Sequence, residues 1–268
     1  MIGQWQKPRL VESASRDVSL TPEFPQLSLA ETLDNGLVVG WHSHDFAQVL
    51  CPSKGVVALL VRDWLSVVPE GFAALVPAGV VHTVVANTTT TLRTICVRQP
   101  ESTPRDPAHA VHPKIRRLGR DALMAEGDLA GRVLSSFEAP GRDEVHSPED
   151  ALLGYLSGVP IPGDRRARPI AFRLINALHD QRTLKEWGEQ FGASERTLSR
   201  IFHDEVGMSF RQWRTRVQLA ETIALLLSGR SVKTASCSAG YSSPSAFIAA
   251  FRAVTGESPL KYLNSSIW

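Results

Sequence analysis

"SERTLSRIFHDEVGMSFRQW" (194–213) and "SSPSAFIAAFRAVTGESPLKYL" (242–263) are variations on one text. At an offset of 49, Phe202 pairs with Phe251, Gly207 with Gly256, Ser209 with Ser258 and Trp213 with Tyr262. Upstream, Leu184 to Gly192 and Val232 to Gly240 share their spacing at an offset of 48. Each copy reads as a helix, a glycine-containing turn, a second helix and a glycine stop. Thr183 with Glu186, and Ser209 with Gln212, form capping boxes, in which side chain and backbone satisfy two otherwise free amides. Ser194 is a third N-cap. This is the helix-turn-helix layout, whose second helix enters the major groove of DNA. Between the copies, a helix over 210–228 spans roughly 28 Å at about 1.5 Å per residue. That nearly matches the about 34 Å between successive major grooves on one face of a duplex. The bland alternative is a duplicated helical bundle with no ligand.

The charge distribution favours the DNA reading. The chain has 268 residues and a formal net charge of +2. Residues 1–164 carry 14 Lys/Arg and 19 Asp/Glu, whereas 165–268 carry 15 and 8. Only the C-terminal part has positive charge in excess for a polyanion. Hydrophobic residues make up 43% and charged residues 21%, the mix of a globular protein. No apolar run reaches the roughly 20 residues that cross a bilayer, and no signal peptide is visible. Cys51, Cys96 and Cys237 lie far apart, which suits a reducing cytoplasm.

Residues 30–98 are short β-branched runs punctuated by Gly and Pro, the pattern of an all-β barrel or sandwich. "QPESTPRDPAHAVHP" (99–113) is a polar connector, and 114–136 carries helical spacing at Ile115, Leu118, Leu123, Leu129, Val133 and Leu134. These apolar positions hold dimer contacts or pack back on the barrel. "SGVPIPGDRRARP" (157–169) reads as the clearest linker. The expected fold is α+β. A cupin-like jelly-roll barrel occupies 1–105, a helical connector 106–164, and an all-α tandem helix-turn-helix domain 165–268.

The C-terminal text resembles the AraC/XylS family of bacterial transcription regulators over about 168–263. The Arg at 214, "GRSV" (229–232), "GY" (240–241), "SAFIAAFR" (245–252) and "GESP" (256–259) occur in register. The resemblance implies two helix-turn-helix units on one DNA face and an effector or dimerisation domain upstream. It departs from the family at Ala235 and Ser236, where relatives carry a larger aliphatic residue and then alanine. Looser packing of the second unit is expected there, with the Ser236 hydroxyl bonded one helical turn back. By resemblance, Arg196, Ser199 and Arg200 hold the base-reading positions of the first unit, and Pro244, Ser245, Ile248 and Ala249 those of the second. Arg214, Arg230, Lys233, Ser243 and Arg252 are expected at phosphates.

In "GWHSHDFAQVLCPSKG" (40–55), His42 and His44 alternate along a strand and share its inner face. With Gln48, and with Gly71, Pro77, Gly79, His82 and Asn87 further on, the stretch resembles the two cupin motifs. Asn87 falls one residue late, and Gln48 stands where metal-binding cupins carry glutamate. His42, His44, Gln48 and His82 are therefore candidates for an effector pocket, or for a divalent transition metal. A glutamine is no general base, and Asp45 should face outward. The reading is a regulator, not an enzyme: a cytoplasmic protein, in a possible homodimer, that binds double-stranded DNA under a small effector, meeting RNA polymerase if it activates. The alternative is a metal-dependent cupin enzyme with a helical appendage.

Overall fold

The computed structural model describes residues 9–15, 17–98, 114–118, 137 and 153–267. Its strands form two sheets around one core. The first holds β1 (Arg9–Val11), β3 (Leu37–His42), β5 (Val56–Val61), β6 (Trp64–Pro69), β8 (His82–Ala86) and β11 (Val159–Pro160), in the order β1-β3-β8-β5-β6-β11. The second holds β2 (Gln26–Leu33), β4 (Ala47–Lys54), β7 (Phe72–Val76), β9 (Thr90–Val97) and β10 (Lys114–Arg117), in the order β10-β7-β4-β9-β2. This is the expected barrel. Every residue of β5 (VVALLV) is buried, an unbroken apolar run rather than an alternation. A strand reads that way when both its faces are covered. The β5–β6 hairpin turns at Arg62, which takes a left-handed φ of 51°.

The helices follow as α1 (Ala167–Asn176), α2 (Leu184–Phe191), α3 (Glu195–Ile201), α4 (Phe210–Leu227), α5 (Val232–Ser238), α6 (Pro244–Thr255) and α7 (Pro259–Ile267). Between α3 and α4 the chain makes one π-helical turn, Phe202–Val206. Both capping boxes form, Thr183 with Glu186 and Ser209 with Gln212. Ser194, Ser231 and Ser243 each accept an amide at their helix starts. In the first unit Trp187, Phe202, Phe210 and Trp213 fill the interior. In the second, the rings of Tyr241, Phe247, Phe251 and Tyr262 meet edge to face. Such ring pairs add about 0.5–1.5 kcal/mol each beyond the area they bury.

Ala235 and Ser236 are fully buried in α5, and the Ser236 hydroxyl donates to the Lys233 carbonyl at 3.2 Å. The departure from the family is thus accommodated locally. Gly240 has φ +83°, and a Cβ there would lie 2.1 Å from the Leu178 carbonyl. The turn of the second unit is therefore pressed against the end of the α1 region, where no side chain fits.

Two expectations need correction. Ile115 and Leu118, read as helical, lie at β10: Ile115 pairs with Ala74 of β7, and the Leu118 amide donates to Gly71. A spacing of three serves a helix, but the exposed edge of β7 offers unpaired backbone groups that a helix would leave open. Leu123, Leu129, Val133 and Leu134 lie outside the described residues. The second correction concerns 157–169, which is no free linker. Val159 and Pro160 pair with Leu65 and Trp64 as β11, and the Ile161 amide donates to Asp63. On the other side, the Trp213 indole N–H donates to the Pro160 carbonyl at 2.7 Å. Glu205 Oε2 accepts from the Gly163 and Asp164 amides at 2.8 and 3.0 Å. The segment is a strap bonded to the barrel along one edge and to the first helix-turn-helix unit along the other.

The barrel also rests directly on α1 and α4. Arg168 forms an ion pair with Asp63 and donates to the Arg62 carbonyl, and Ser228 bridges to Gly55 and Glu70. One apolar cluster runs from β5 and β6 through Ile170, Leu174 and Val217 to Phe251. In this seam lies Glu221, a carboxyl only 3% exposed, hydrogen-bonded by Asn87 at the end of β8. Burial pushes its pKa up to about 7, against the opposing pull of the Asn87 bond.

A carboxyl that binds its proton more tightly in the folded than in the unfolded chain stabilises less as pH rises. Here the loss runs from the ordinary value near 4.5 up to about 7. Glu221→Gln is expected to melt higher than the wild type at pH 8, by about 4 °C or more. The gain should vanish near pH 5. A melting series across pH checks this, and an equal shift at both ends contradicts it.

Candidate nucleic-acid interface and barrel pocket

The first unit presents α3 with one face in and one face out. Leu198, Ile201 and Phe202 are buried. Glu195, Arg196, Ser199, Arg200 and His203 are exposed. Ser194 starts the helix by accepting the Thr197 amide at 3.1 Å, which sets where the outer face begins. The Gly188 position brings α2 against the turn: a Cβ there would meet the Ala193 carbonyl at 2.2 Å. Beyond Arg200 the π-helical turn carries His203 over a groove shared with Met208, Ser209 and Gln212. The exposed Arg211 and the groove-lining Gln212 at the start of α4 adjoin this surface and were not read as surface contacts from the sequence, where Gln212 figured only as a cap. Helical periodicity could have flagged both as outward-facing.

The second unit differs. On α6, Ser245 and Ala249 are exposed, Pro244 is half-buried, and Ile248 packs partly on the core. Among the other expected contacts, Arg230, Lys233 and Arg252 are exposed. Ser243 is half-buried, with its oxygen accepting the Ala246 amide at 3.1 Å. Arg214 is engaged inside the fold. Its guanidinium lies 4.7 Å from the Phe210 ring centroid and donates to the Arg182 carbonyl. That removes it from the free cationic surface.

In the barrel, His42, His44 and His82 converge, one nitrogen from each lying within 4.8 Å of the others. Backbone carbonyls orient two of the rings: His42 Nδ1 donates to Gly40 at 2.6 Å and His82 Nδ1 to Val80 at 2.9 Å. Burial, then the neighbouring His42, lowers the His82 pKa to about 3 and the His44 pKa to about 4. Both are neutral at pH 7, each with a bare nitrogen. Gln48 is buried, its amide oxygen drawn 3.0 Å from His82 Nε2 and its nitrogen 2.6 Å from Ser15 Oγ. A neutral His82 whose Nδ1–H is spent on Val80 has only a lone pair at Nε2. The consistent amide is therefore the turned one, with N–H donating to His82 and the Ser15 hydroxyl donating to the carbonyl.

The four predicted pocket residues thus come together. Ser15, 3% exposed and also 3.3 Å from His44 Nε2, joins them. No sequence signal marked it, because it lies in an irregular segment before the barrel's first long strand. Asp45 is exposed, as expected. Asn87 is not in the pocket: its Nδ2 donates to Ile175 at 3.0 Å and it contacts Glu221. His109, His112 and His146 lie outside the described residues.

The donor set fits a divalent transition metal. It consists of three imidazoles, two of them with one ring N–H fixed by a backbone carbonyl, the usual support for metal-bound histidine. His42, His44 and His82 would hold the ion, joined by the Gln48 oxygen only if that amide turns back from Ser15, and the ion would supply a Lewis-acidic anchor for a ligand. Without it, the trio is a desolvated hydrogen-bonding floor.

Because both histidines bind protons less well folded than unfolded, their stabilising effect is full above about 6.5 and is lost as pH falls toward 4 and 3. NMR of the imidazoles is expected to show His44 and His82 unprotonated from pH 8 down to pH 5. A midpoint near 6.5 for either ring contradicts the buried assignment.

Comparison with known proteins bears on the C-terminal half first. Residues 187–265 match the model of a helix-turn-helix domain. The transcriptional regulator NimR of Escherichia coli is 28% identical over 232 residues, covering 83% of this chain and 81% of NimR. The transcriptional regulator RipA of Corynebacterium glutamicum is 33% identical over 126 residues, 46% of this chain and 38% of RipA. Among solved structures, ToxT of Vibrio cholerae with bound unsaturated fatty acid is 11% identical, covering 90% of this chain and 96% of ToxT at a TM-score of 0.37. No helix among the described residues is long and apolar enough to cross a membrane. With its duplicated, capped helix-turn-helix units behind a cupin-like barrel, the chain is similar to helix-turn-helix transcriptional regulators over most of its length.

Proposed function

We propose that the protein is a cytoplasmic, non-enzymatic regulator that reads a promoter mainly through its first helix-turn-helix unit, under control of a small effector taken up by the barrel. The observation that carries the reading is the contrast between the two outward helix faces. Arg196, Ser199 and Arg200 stand exposed on α3, whereas α6 offers Ser245, Ala249, Pro244 and a partly buried Ile248. An arginine makes paired hydrogen bonds to guanine O6 and N7, worth roughly 1–3 kcal/mol of discrimination. Apolar and hydroxyl groups on α6 supply thymine-methyl contacts and shape fit. Exposed Arg230, Lys233 and Arg252 would meet phosphates and fix the register without reading bases.

The strap and the α1–α4 seam join the barrel to this DNA-reading part. An effector acts by its different affinity for two arrangements of these parts, or of a homodimer. We divide the chain into a barrel (1–105), a connector (106–164) and a DNA-binding domain (165–268), with β10 and β11 as connector strands added to the barrel. An activator would also meet RNA polymerase. The non-enzymatic reading rests on Gln48, which is no general base, and on Asp45 being exposed rather than among the histidines.

The test is fluorescence anisotropy with fragments of the promoter beside its own gene, at several salt concentrations. Wild-type protein is expected to bind with affinity that falls steeply with salt. Arg200→Ala should lose about tenfold of its discrimination at substituted positions in one operator segment and little in the other. Lys233→Ala should weaken every sequence alike and lower the salt slope by about one. Absence of binding at low salt overturns the function. Equal loss in both segments for Arg200→Ala overturns the division of labour.

A further inference from the structure

A cavity of about 160 Å³, lined by none of the three histidines, lies between the barrel and α1. Leu10, Val38, Gly40, Trp41 and Thr83 line it from the barrel, and Phe172, Arg173 and Asn176 from α1. The walls are chiefly apolar. Trp41 and Phe172 meet edge to face, their centroids 5.5 Å apart. Arg168 lies 5.8 Å from both rings and holds this side of the seam. Trp41 is 43% exposed, so the slot opens to solvent at one end.

The Asn176 side chain brings an unused acceptor to the slot. The Asn176 amide nitrogen donates to the Phe172 carbonyl at 2.8 Å, which fixes the amide orientation, since that carbonyl can only accept. Asn176 Oδ1 is buried and has no hydrogen-bond partner. A buried acceptor left unmade costs about 1–3 kcal/mol, so it favours any ligand that brings a donor. The Thr83 hydroxyl is spent on the Val39 carbonyl and cannot serve. A cavity of about this volume has room for one benzene-sized ring. The Arg173 guanidinium on the wall disfavours a cationic ligand.

We infer that this slot is a binding site for a small uncharged aromatic compound with an N–H or O–H donor, separate from the histidine pocket. The ring sits by Trp41 and Phe172, and its donor pairs with Asn176 Oδ1. Its walls come from both parts of the chain, so occupancy adds contacts that exist only while barrel and α1 are docked. That such a ligand then alters DNA affinity rests on the regulatory reading above; that it binds does not.

Ligand-observed NMR on the full chain tests the site with three probes of similar size. Benzamide has ring and donor, toluene has the ring alone, and benzamidine adds a positive charge. The wild type is expected to bind benzamide about tenfold more tightly than toluene, and more tightly than benzamidine. Asn176→Leu should abolish the preference over toluene while retaining the ring, and Asn176→Ala, which also lacks the acceptor, should do the same if that variant does not fold. Trp41→Ala should weaken all three probes. The proposal is overturned if no probe binds, if Asn176→Leu keeps the full preference, or if His82→Ala removes benzamide binding while the slot variants retain it. DNA binding measured on the same samples is independent: its absence sinks the regulatory reading and leaves the slot standing.

Discussion

The hydrogen bond from the Trp213 indole to the Pro160 carbonyl is the point on which the two parts of the chain turn. Pro160 lies opposite Trp64 at the sheet edge, and proline, lacking an N–H, is suited to such an edge. Its carbonyl is thus available to the helical part. Trp213 is fully buried and stacks with Phe202 and Phe210, the residues that seat α3 against α4. Three residues further along the strap, the Gly163 and Asp164 amides hold Glu205, on the turn that continues α3. The barrel edge is thus hydrogen-bonded directly to the body of the first helix-turn-helix unit.

The two units are built on one plan with different chemistry outside. Their interiors hold aromatic residues at matching places, and their helix starts use the same serine caps. At the expected base-reading positions the first carries guanidinium groups and the second mostly apolar groups and a hydroxyl. Duplication preserved what folding requires, since a core position tolerates little change of volume. Exposed positions carry no such constraint, and there the copies have parted.

Much of this was legible in the chain because it is local. Caps, glycine stops and the repeat depend on residues within a few positions of one another, so they survive in one dimension. His42 and His44 both reach the pocket as expected, but not by alternation along one strand, since β3 ends at His42 and His44 lies in the segment that follows. What was missed depends on distant partners. β11 exists because Leu65 and Trp64 offer an edge nearly a hundred residues earlier. Ile115 fits two periodicities, and only the open side of β7 selects between them. Asn87 departed from motif spacing because it serves the seam, bonding to Ile175 rather than facing the histidines. Ser15 lies in text with no periodicity at all, yet it completes the Gln48 network. Arg214 matched a motif whose chemistry suggests phosphate, but Phe210 and the Arg182 carbonyl hold it inside.

Glu221 gives the junction of barrel and rod a chemical character beyond its packing. While closed in, it keeps its proton to about pH 7, held there by the absence of water. Any motion that lets water reach the carboxylate allows it to ionise, and an ionised group resists being closed in again. Water entry at this seam and ionisation of Glu221 would therefore favour each other.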